Sequence, residues 1–249
     1  MSDQAPWLLL DLGNSAWKWR LAGPEGLAEA GGRAASDLTA LNNAIKTFDG
    51  IEQIAIASVA SSTKETELRQ WLSQQVRCPI SMAIPEPTFL GLISAYEQAE
   101  AMGVDRWLAM LSACNGSAQG VCVVDAGTAL TIDLVSSSGQ HEGGMILPGP
   151  ELMGRALSSE TGRIRVQTSP QPSLMPGRST EQCVTSGARH AALGAVRSVT
   201  EQYPQHTMIV TGGHAGALID LGLSAEHRPD LVFDGLRIWL AAKLDAQAP

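Results

Sequence analysis

The sequence predicts an α/β protein made of two similar halves with a cleft between them, and three observations carry that prediction. An apolar run ends in Asp-x-Gly twice, at Asp11-Leu-Gly13 and again at Asp125-Ala-Gly127. Each time a small polar residue follows, then a second apolar-alternating run, then a glycine-containing turn (Ala22 to Gly26, and Ser136 to Gly139). Between and beyond these hairpins, apolar residues recur at helical spacing, so strands and helices mix in both halves. The chain has 249 residues, 44% of them hydrophobic, which is enough for a large packed core.

The elements follow in order. Trp7 to Asp11 and Ala16 to Leu21 read as two strands joined through Asp-x-Gly, which is expected to form the hairpin tip. Ile54 to Val59 reads as a buried strand and Thr66 to Gln75 as a helix. A further helix starts around Asp105 and carries Trp107, Leu108, Leu111 and Ala113 on its apolar face. The turn-rich Asn115-Gly-Ser-Ala-Gln-Gly120 marks the boundary, giving halves 1–117 and 118–249. In the second half, Val121 to Leu134 repeats the hairpin grammar. Ser179 to Tyr203 then has Val184, Ala188, Ala191, Ala192, Ala195, Val196 and Val199 at helical spacing. Ser179 and Gln182 have the S-x-x-Q spacing of a capping box. Met208 to Gly213 is a strand entering a glycine turn, and Leu231-Val-Phe leads into a last helix near 235–246.

Composition narrows the function. Seventeen basic against 25 acidic residues give a net charge of −8, which argues against a nucleic-acid surface. The cysteines Cys78, Cys114, Cys122 and Cys183 are scattered without C-x-x-C spacing, so reduced, partly buried thiols are expected rather than zinc ligands or a disulfide framework. The beginning, MSDQAPW, lacks the pattern of a signal peptide, and no apolar run reaches the roughly 20 residues of a membrane span. A soluble cytoplasmic protein is expected. The tryptophans Trp17, Trp19, Trp71, Trp107 and Trp239 have no basic neighbours in a stripe and read as packing residues.

Two Asp-x-Gly turns after matching strands suit a phosphate site. Glycine lets backbone N–H groups approach an anion closely, and the carboxylates can hold a cation against it. Burying either carboxylate bare would be costly, so each is expected to be hydrated, hydrogen-bonded or cation-paired.

Five motifs together make the chain recognisable: Asp11-Leu-Gly-Asn-Ser15, Gly103-Val-Asp-Arg106, Asp125-Ala-Gly-Thr-Ala129, Gly143-Gly-Met-Ile-Leu-Pro-Gly149 and Thr211-Gly-Gly213. In order and spacing they resemble the type III pantothenate kinases, a family within the actin-like ATPase and sugar-kinase superfamily that includes the Bvg accessory factors. The resemblance runs from Trp7 to about Leu236. It implies a duplicated ribonuclease-H-like fold, a homodimer, and ATP-dependent phosphorylation of pantothenate towards coenzyme A. It further implies Mg²⁺ and a monovalent cation, K⁺ or ammonium.

Residue by residue, the resemblance implies Asp105 as the base that accepts the hydroxyl proton, the role phosphorylation of an alcohol requires of a positioned carboxylate. Arg106 suits the pantothenate carboxylate through its planar fork of donors. Read without the resemblance, Asp105 caps its helix and Arg106 makes a surface ion pair. Tyr96, Gly103, Val104, Thr161 and Thr180 join Arg106 as substrate contacts. Asp11, Gly13, Asn14 and Ser15 match the first phosphate loop, with Asp11 also organising Mg²⁺. Lys18, in the same hairpin, can reach a phosphate, although alternation points it to solvent. Asp125 matches the ligand of the monovalent cation, while Thr128, Gly212 and Gly213 match nucleotide contacts.

Two positions depart from the family pattern. Glu160 stands where some relatives have histidine, and His214 replaces an acidic or small residue after the two glycines; it reads as a solvated loop histidine. A non-catalytic regulatory protein, or a different kinase or phosphohydrolase of the same superfamily, are the alternatives. The retention of Asp11, Asp105 and Asp125 favours the enzyme.

Overall fold

The computed structural model describes residues 6–14, 16–34, 38–46, 48, 50–161 and 173–247. In chain order the elements are β1 (Trp7–Leu12), β2 (Trp17–Gly23), β3 (Gly26–Ala34), α1 (Leu38–Lys46), β4 (Gln53–Ser58), α2 (Ser62–Gln75), β5 (Ile80–Met82), β6 (Thr88–Phe89), β7 (Leu92–Ile93) and α3 (Val104–Cys114). They continue with β8 (Val121–Ala126), β9 (Ala129–Val135), β10 (His141–Pro148), α4 (Pro150–Glu160), α5 (Thr180–Gln202), β11 (Thr207–Thr211), α6 (Ala215–Asp220), β12 (Glu226–His227) and α7 (Leu231–Asp245).

The duplication read from the sequence is a duplication of topology. One five-stranded sheet runs β3-β2-β1-β4-β5 and the other β10-β9-β8-β11-β12. In the first, β1 pairs antiparallel with β2 and parallel with β4. In the second, β8 pairs antiparallel with β9 and parallel with β11. The central strand of each sheet is therefore the apolar run that carries the aspartate.

Two compact units result, and neither is a continuous stretch of chain. The first comprises Met1–Phe89, Tyr96–Ser112 and Asp230–Pro249; the second comprises Leu90–Ala95 and Ala113–Pro229. In the first unit, Leu8, Leu10, Leu12, Trp17, Trp19, Ile54 and Ile56 pack from the sheet onto Leu41 and Ile45 of α1 and Leu68 and Leu72 of α2. The second unit repeats the arrangement, with Cys122, Val124, Leu130, Ile132 and Leu134 against Ala192, Leu193, Val196 and Val199 of α5. Full burial of one such aliphatic side chain contributes about 1.5–3 kcal/mol. The last helix, α7, begins at Leu231, four residues earlier than the sequence suggested, because Leu231, Val232 and Phe233 form its buried first turn. It packs onto the first sheet, and Gly235 lets it meet α3: a Cβ there would lie 2.1 Å from the Leu108 carbonyl oxygen.

The Asp-x-Gly motifs do not form the hairpin tips. Asp11 is the fifth residue of β1, paired with Lys18, and Asp125 is the fifth of β8, paired with Thr131; only the glycines lie in the turns. The helix expected after Thr66 starts at Ser62. The capping box forms in part: Ser179 accepts the Gln182 N–H, but the Gln182 side chain accepts from Arg178 instead of Ser179. Trp107, Leu108, Met110 and Leu111 are at most 2% exposed, so the apolar face of α3 is core. Trp17, Trp19, Trp107 and Trp239 are buried and Trp71 half-buried, as packing residues should be. All four cysteines are free thiols, with Cys122 buried and Cys183 exposed; burial pushes Cys114 and Cys122 up to about 11. Among the described residues, no helix is long and apolar enough to cross a membrane.

Candidate active site

In the first unit, Asp11 is carried to the C-terminal end of β1 by a fully buried apolar strand and is itself 7% exposed. Its cost of burial is met by Lys18, whose Nζ lies 2.9 Å from Asp11 Oδ2. The lysine expected to face solvent shares the face of its cross-strand partner and folds onto it. The turn beyond is closed by Gly13 N–H donating to Ala16 O at 3.1 Å, and Asn14 Nδ2 donates to Val59 O at 3.3 Å. Ser15 lies outside the described residues.

The Gly103-Val-Asp-Arg motif opens α3. Trp107 N–H donates to Gly103 O, which makes Gly103 the N-cap and Asp105 the second helical residue. Asp105 Oδ1 accepts the Arg106 N–H at 2.8 Å, so its carboxylate folds over the helix N-terminus, part of what the capping reading expected. Gly103 leaves room for it: a Cβ there would stand 2.7 Å from Asp105 Oδ1. Burial pushes the Asp105 carboxyl above the ordinary carboxylate range; the Arg106 N–H opposes this, the negative Asp11 adds to it, and the Arg106 guanidinium opposes it again.

Arg106 is no surface ion-pair residue. It is 7% exposed and its Nη1 donates to the Tyr96 hydroxyl at 3.0 Å, with the guanidinium carbon 6.0 Å from the tyrosine ring centre. Tyr96 is 37% exposed, so the pair presents one phenol edge to solvent above a buried cation. The first unit thus brings together Asp11, Lys18, Tyr96, Gly103, Val104, Asp105 and Arg106, a carboxyl with a raised pKa beside a buried guanidinium.

In the second unit, Asp125 is half-buried at the end of β8. Gly212 leaves β11 with φ +92°, and a Cβ on it would stand 2.3 Å from Asp125 Oδ1. The carboxylate therefore rests against bare backbone, a site only glycine permits. Thr128 and Gly213 are exposed at the same end of the sheet. The loop Pro148-Gly149 seats on this turn, Gly149 N–H donating to Thr128 O at 2.9 Å. His214, read as a solvated loop residue, is engaged on both ring nitrogens: Nδ1 lies 3.3 Å from Gly127 O and Nε2 3.2 Å from Glu151 Oε1. Sequence gave no signal for this pair, because the positions are remote and neither motif contains the other's partner.

The two threonines are placed differently. Thr161 ends α4 with its hydroxyl donating to Leu157 O at 2.6 Å. Thr180 is exposed at the first position of α5, with the capping duty taken by Ser179. Among the described residues no three His, Cys, Asp or Glu side chains cluster as a metal cage.

The chain is similar to known proteins. The family model for type III pantothenate kinase covers residues 7–202. A type III pantothenate kinase from Marinobacter nauticus is 36% identical over 232 residues, spanning 92% of this chain and 96% of the relative. A crystal structure of a Baf-family protein from Campylobacter jejuni, described as a transcriptional activator, superposes with a TM-score of 0.61 at 23% identity over 97% of this chain and all of that one. A 2-dehydro-3-deoxygalactonokinase from Sinorhizobium meliloti reaches 0.58 at 13% identity over 96% and 99%. These likenesses to solved structures fix the fold, that of the actin-like ATPases and sugar kinases, and the sequence match fixes the lineage: the chain belongs to the type III pantothenate kinase family.

Proposed function

We propose that the protein transfers the γ-phosphoryl group of ATP to the primary hydroxyl of pantothenate, giving 4′-phosphopantothenate and ADP, the first step of coenzyme A synthesis. The observation that carries this reading is the first turn of α3, where the Asp105 carboxyl, its pKa raised by burial, adjoins the buried Arg106, which is bonded to the exposed Tyr96. Asp105 accepts the hydroxyl proton as the oxygen bonds to the γ-phosphorus and the bond to ADP breaks. A base with a raised pKa is better matched to near-neutral pH than an ordinary aspartate. Arg106 and Tyr96 take the pantothenate carboxylate, with Gly103, Val104, Thr161 and Thr180 completing the substrate contacts.

The nucleotide is assigned to Asp11, Gly13, Asn14, Ser15 and Lys18, and to Thr128, Gly212 and Gly213. When bound, Mg²⁺ neutralises phosphate charge; Asp11 would hold it, and the ammonium of Lys18 already stands beside that carboxylate as a cation does. Asp125 would hold K⁺ or ammonium with a carboxylate that lies where Gly212 has no side chain. Family membership further supports a cytoplasmic homodimer, each subunit carrying two similar halves, 1–117 and 118–249, the second of which returns 230–249 to the first compact unit. The exposed Met145 and Ile146 on β10 offer apolar surface for a second copy.

The test is ADP release by purified protein with ATP, Mg²⁺ and pantothenate, with K⁺ or Na⁺ as the sole monovalent cation. Pantothenate-dependent turnover that requires K⁺ is expected. ATP binding without turnover in any cation would reject pantothenate as the acceptor.

A further inference from the structure

Three successive carbonyls of the Asp125 turn are each engaged by a donor. Ala126 O accepts the His214 N–H at 2.9 Å, Gly127 O faces His214 Nδ1 at 3.3 Å, and Thr128 O accepts the Gly149 N–H at 2.9 Å. The turn is held from two sides. On one, the β11–α6 turn presses Gly212 and His214 against it; on the other, the β10–α4 turn does so through Gly149, where a Cβ would stand 2.6 Å from Gly127 O. His214 Nε2, 3.2 Å from Glu151 Oε1 in the first turn of α4, ties the two sides to each other.

A peptide unit is planar, with its C=O and N–H pointing in opposite directions. Whatever fixes the Gly127 carbonyl therefore aims the Thr128 N–H the other way. A carbonyl and a carboxylate only accept, so the ring donates in both contacts, and the two hold together when Nδ1 and Nε2 each carry a hydrogen. Glu151 is the anchor, and its charge at a helix N-terminus is itself favourable. It is also shared with Arg155, 4.0 Å away one turn along α4.

We propose that His214 is a positioning residue for the nucleotide: through Nδ1 it locks the 127–128 peptide so that Thr128 meets the phosphates of ATP, with Glu151 holding the ring. The proposal rests on the assignment of Thr128 to the nucleotide made above. It gives the departure from the family pattern at this position a physical role.

Substitution separates the two ring contacts. In His214→Asn an amide N–H stands near the place of Nδ1, keeping the bond to Gly127 O but not the reach to Glu151. In His214→Gln the amide stands near the place of Nε2 and the Gly127 bond is lost. Steady-state kinetics of Ala, Asn and Gln variants, with calorimetric ADP binding, read the difference. Expected are a KM for ATP and a Kd for ADP raised about five- to tenfold in the Ala and Gln variants, the loss of one hydrogen bond. The Asn variant stays within about twofold of wild type, and the KM for pantothenate is unchanged throughout. An Asn variant as impaired as Ala, an unchanged ATP KM in all three, or an equal rise in the pantothenate KM would each overturn the proposal. Should Ala fail to fold, the Asn and Gln pair still decides it. Wild-type protein that binds no nucleotide would instead sink the assignment on which it rests.

Discussion

Lys18 stands directly across the strand pair from Asp11, and its Nζ lies 2.9 Å from Asp11 Oδ2. The aspartate side chain is 10% exposed and the lysine 40%, so one partner is nearly dry and the other half-wet. Exposed pairs are worth about 0.2–1 kcal/mol and breaking a buried pair costs about 3–5 kcal/mol. Lys18→Met is expected between these limits, at about 1–2 kcal/mol, or a fall of several degrees in melting temperature. If Asp11 holds Mg²⁺ as proposed, saturating Mg²⁺ and ATP should narrow the gap, because the metal would supply the carboxylate with a second cation. A melting temperature equal to wild type would show that the pair contributes nothing.

Asp105 should trade stability for activity. Its carboxyl is raised by burial, so the folded protein holds this proton to higher pH than the unfolded chain does. Between the ordinary carboxylate pKa and the raised one, the folded state binds more protons, so stability falls as pH rises, and above both values the full penalty is in place. Asp105→Asn removes the charge while its amide oxygen can still accept the Arg106 N–H. Turnover should drop by about 10²–10⁴, as for loss of a general base, while the melting temperature at neutral pH rises. That excess stability should shrink on acidification. A variant less stable than wild type at pH 7 would contradict the burial argument.

Gly103→Ala tests the room made for that carboxylate. The added methyl would lie 2.7 Å from Asp105 Oδ1, so the carboxylate must rotate and give up the Arg106 N–H. The expected result is kcat reduced about tenfold or more, since misplacement by about 1 Å can cost 10²-fold, with ADP affinity unaltered. Wild-type kcat in a folded variant would mean that the orientation of Asp105 is not limiting.

Arg106→Lys asks whether the planar fork is needed. Lysine keeps one positive charge but not the geometry that serves Tyr96 and a carboxylate together. The pantothenate KM should rise about tenfold or more, with the ATP KM nearly unchanged. Equal rises in both would remove Arg106 from a specific role at the acceptor.

The Asp-x-Gly repeats, the apolar runs before them and the helical spacing of Val184 to Val199 were enough to read the duplicated α/β fold, because strand and helix periods are local properties of the chain. The α7 start was misjudged for the same local reason. Leu231-Val-Phe is apolar in either structure, and only its packing on the first sheet decides for helix. Of the candidate site, Gly103 to Arg106 was legible as a motif, but not the burial of Arg106 or its bond to Tyr96, ten residues away.

By itself the sequence determined the two similar hairpins, the helices near Thr66, Asp105 and Ser179 and, through five ordered motifs, the family. Tertiary structure alone decided which charges meet: Lys18 on Asp11, Tyr96 on Arg106, His214 on Glu151. The reason is range. Periodicity and turn chemistry act over a few residues, whereas the burial that raises Asp105 and the contacts that engage His214 exist only once distant segments have packed together.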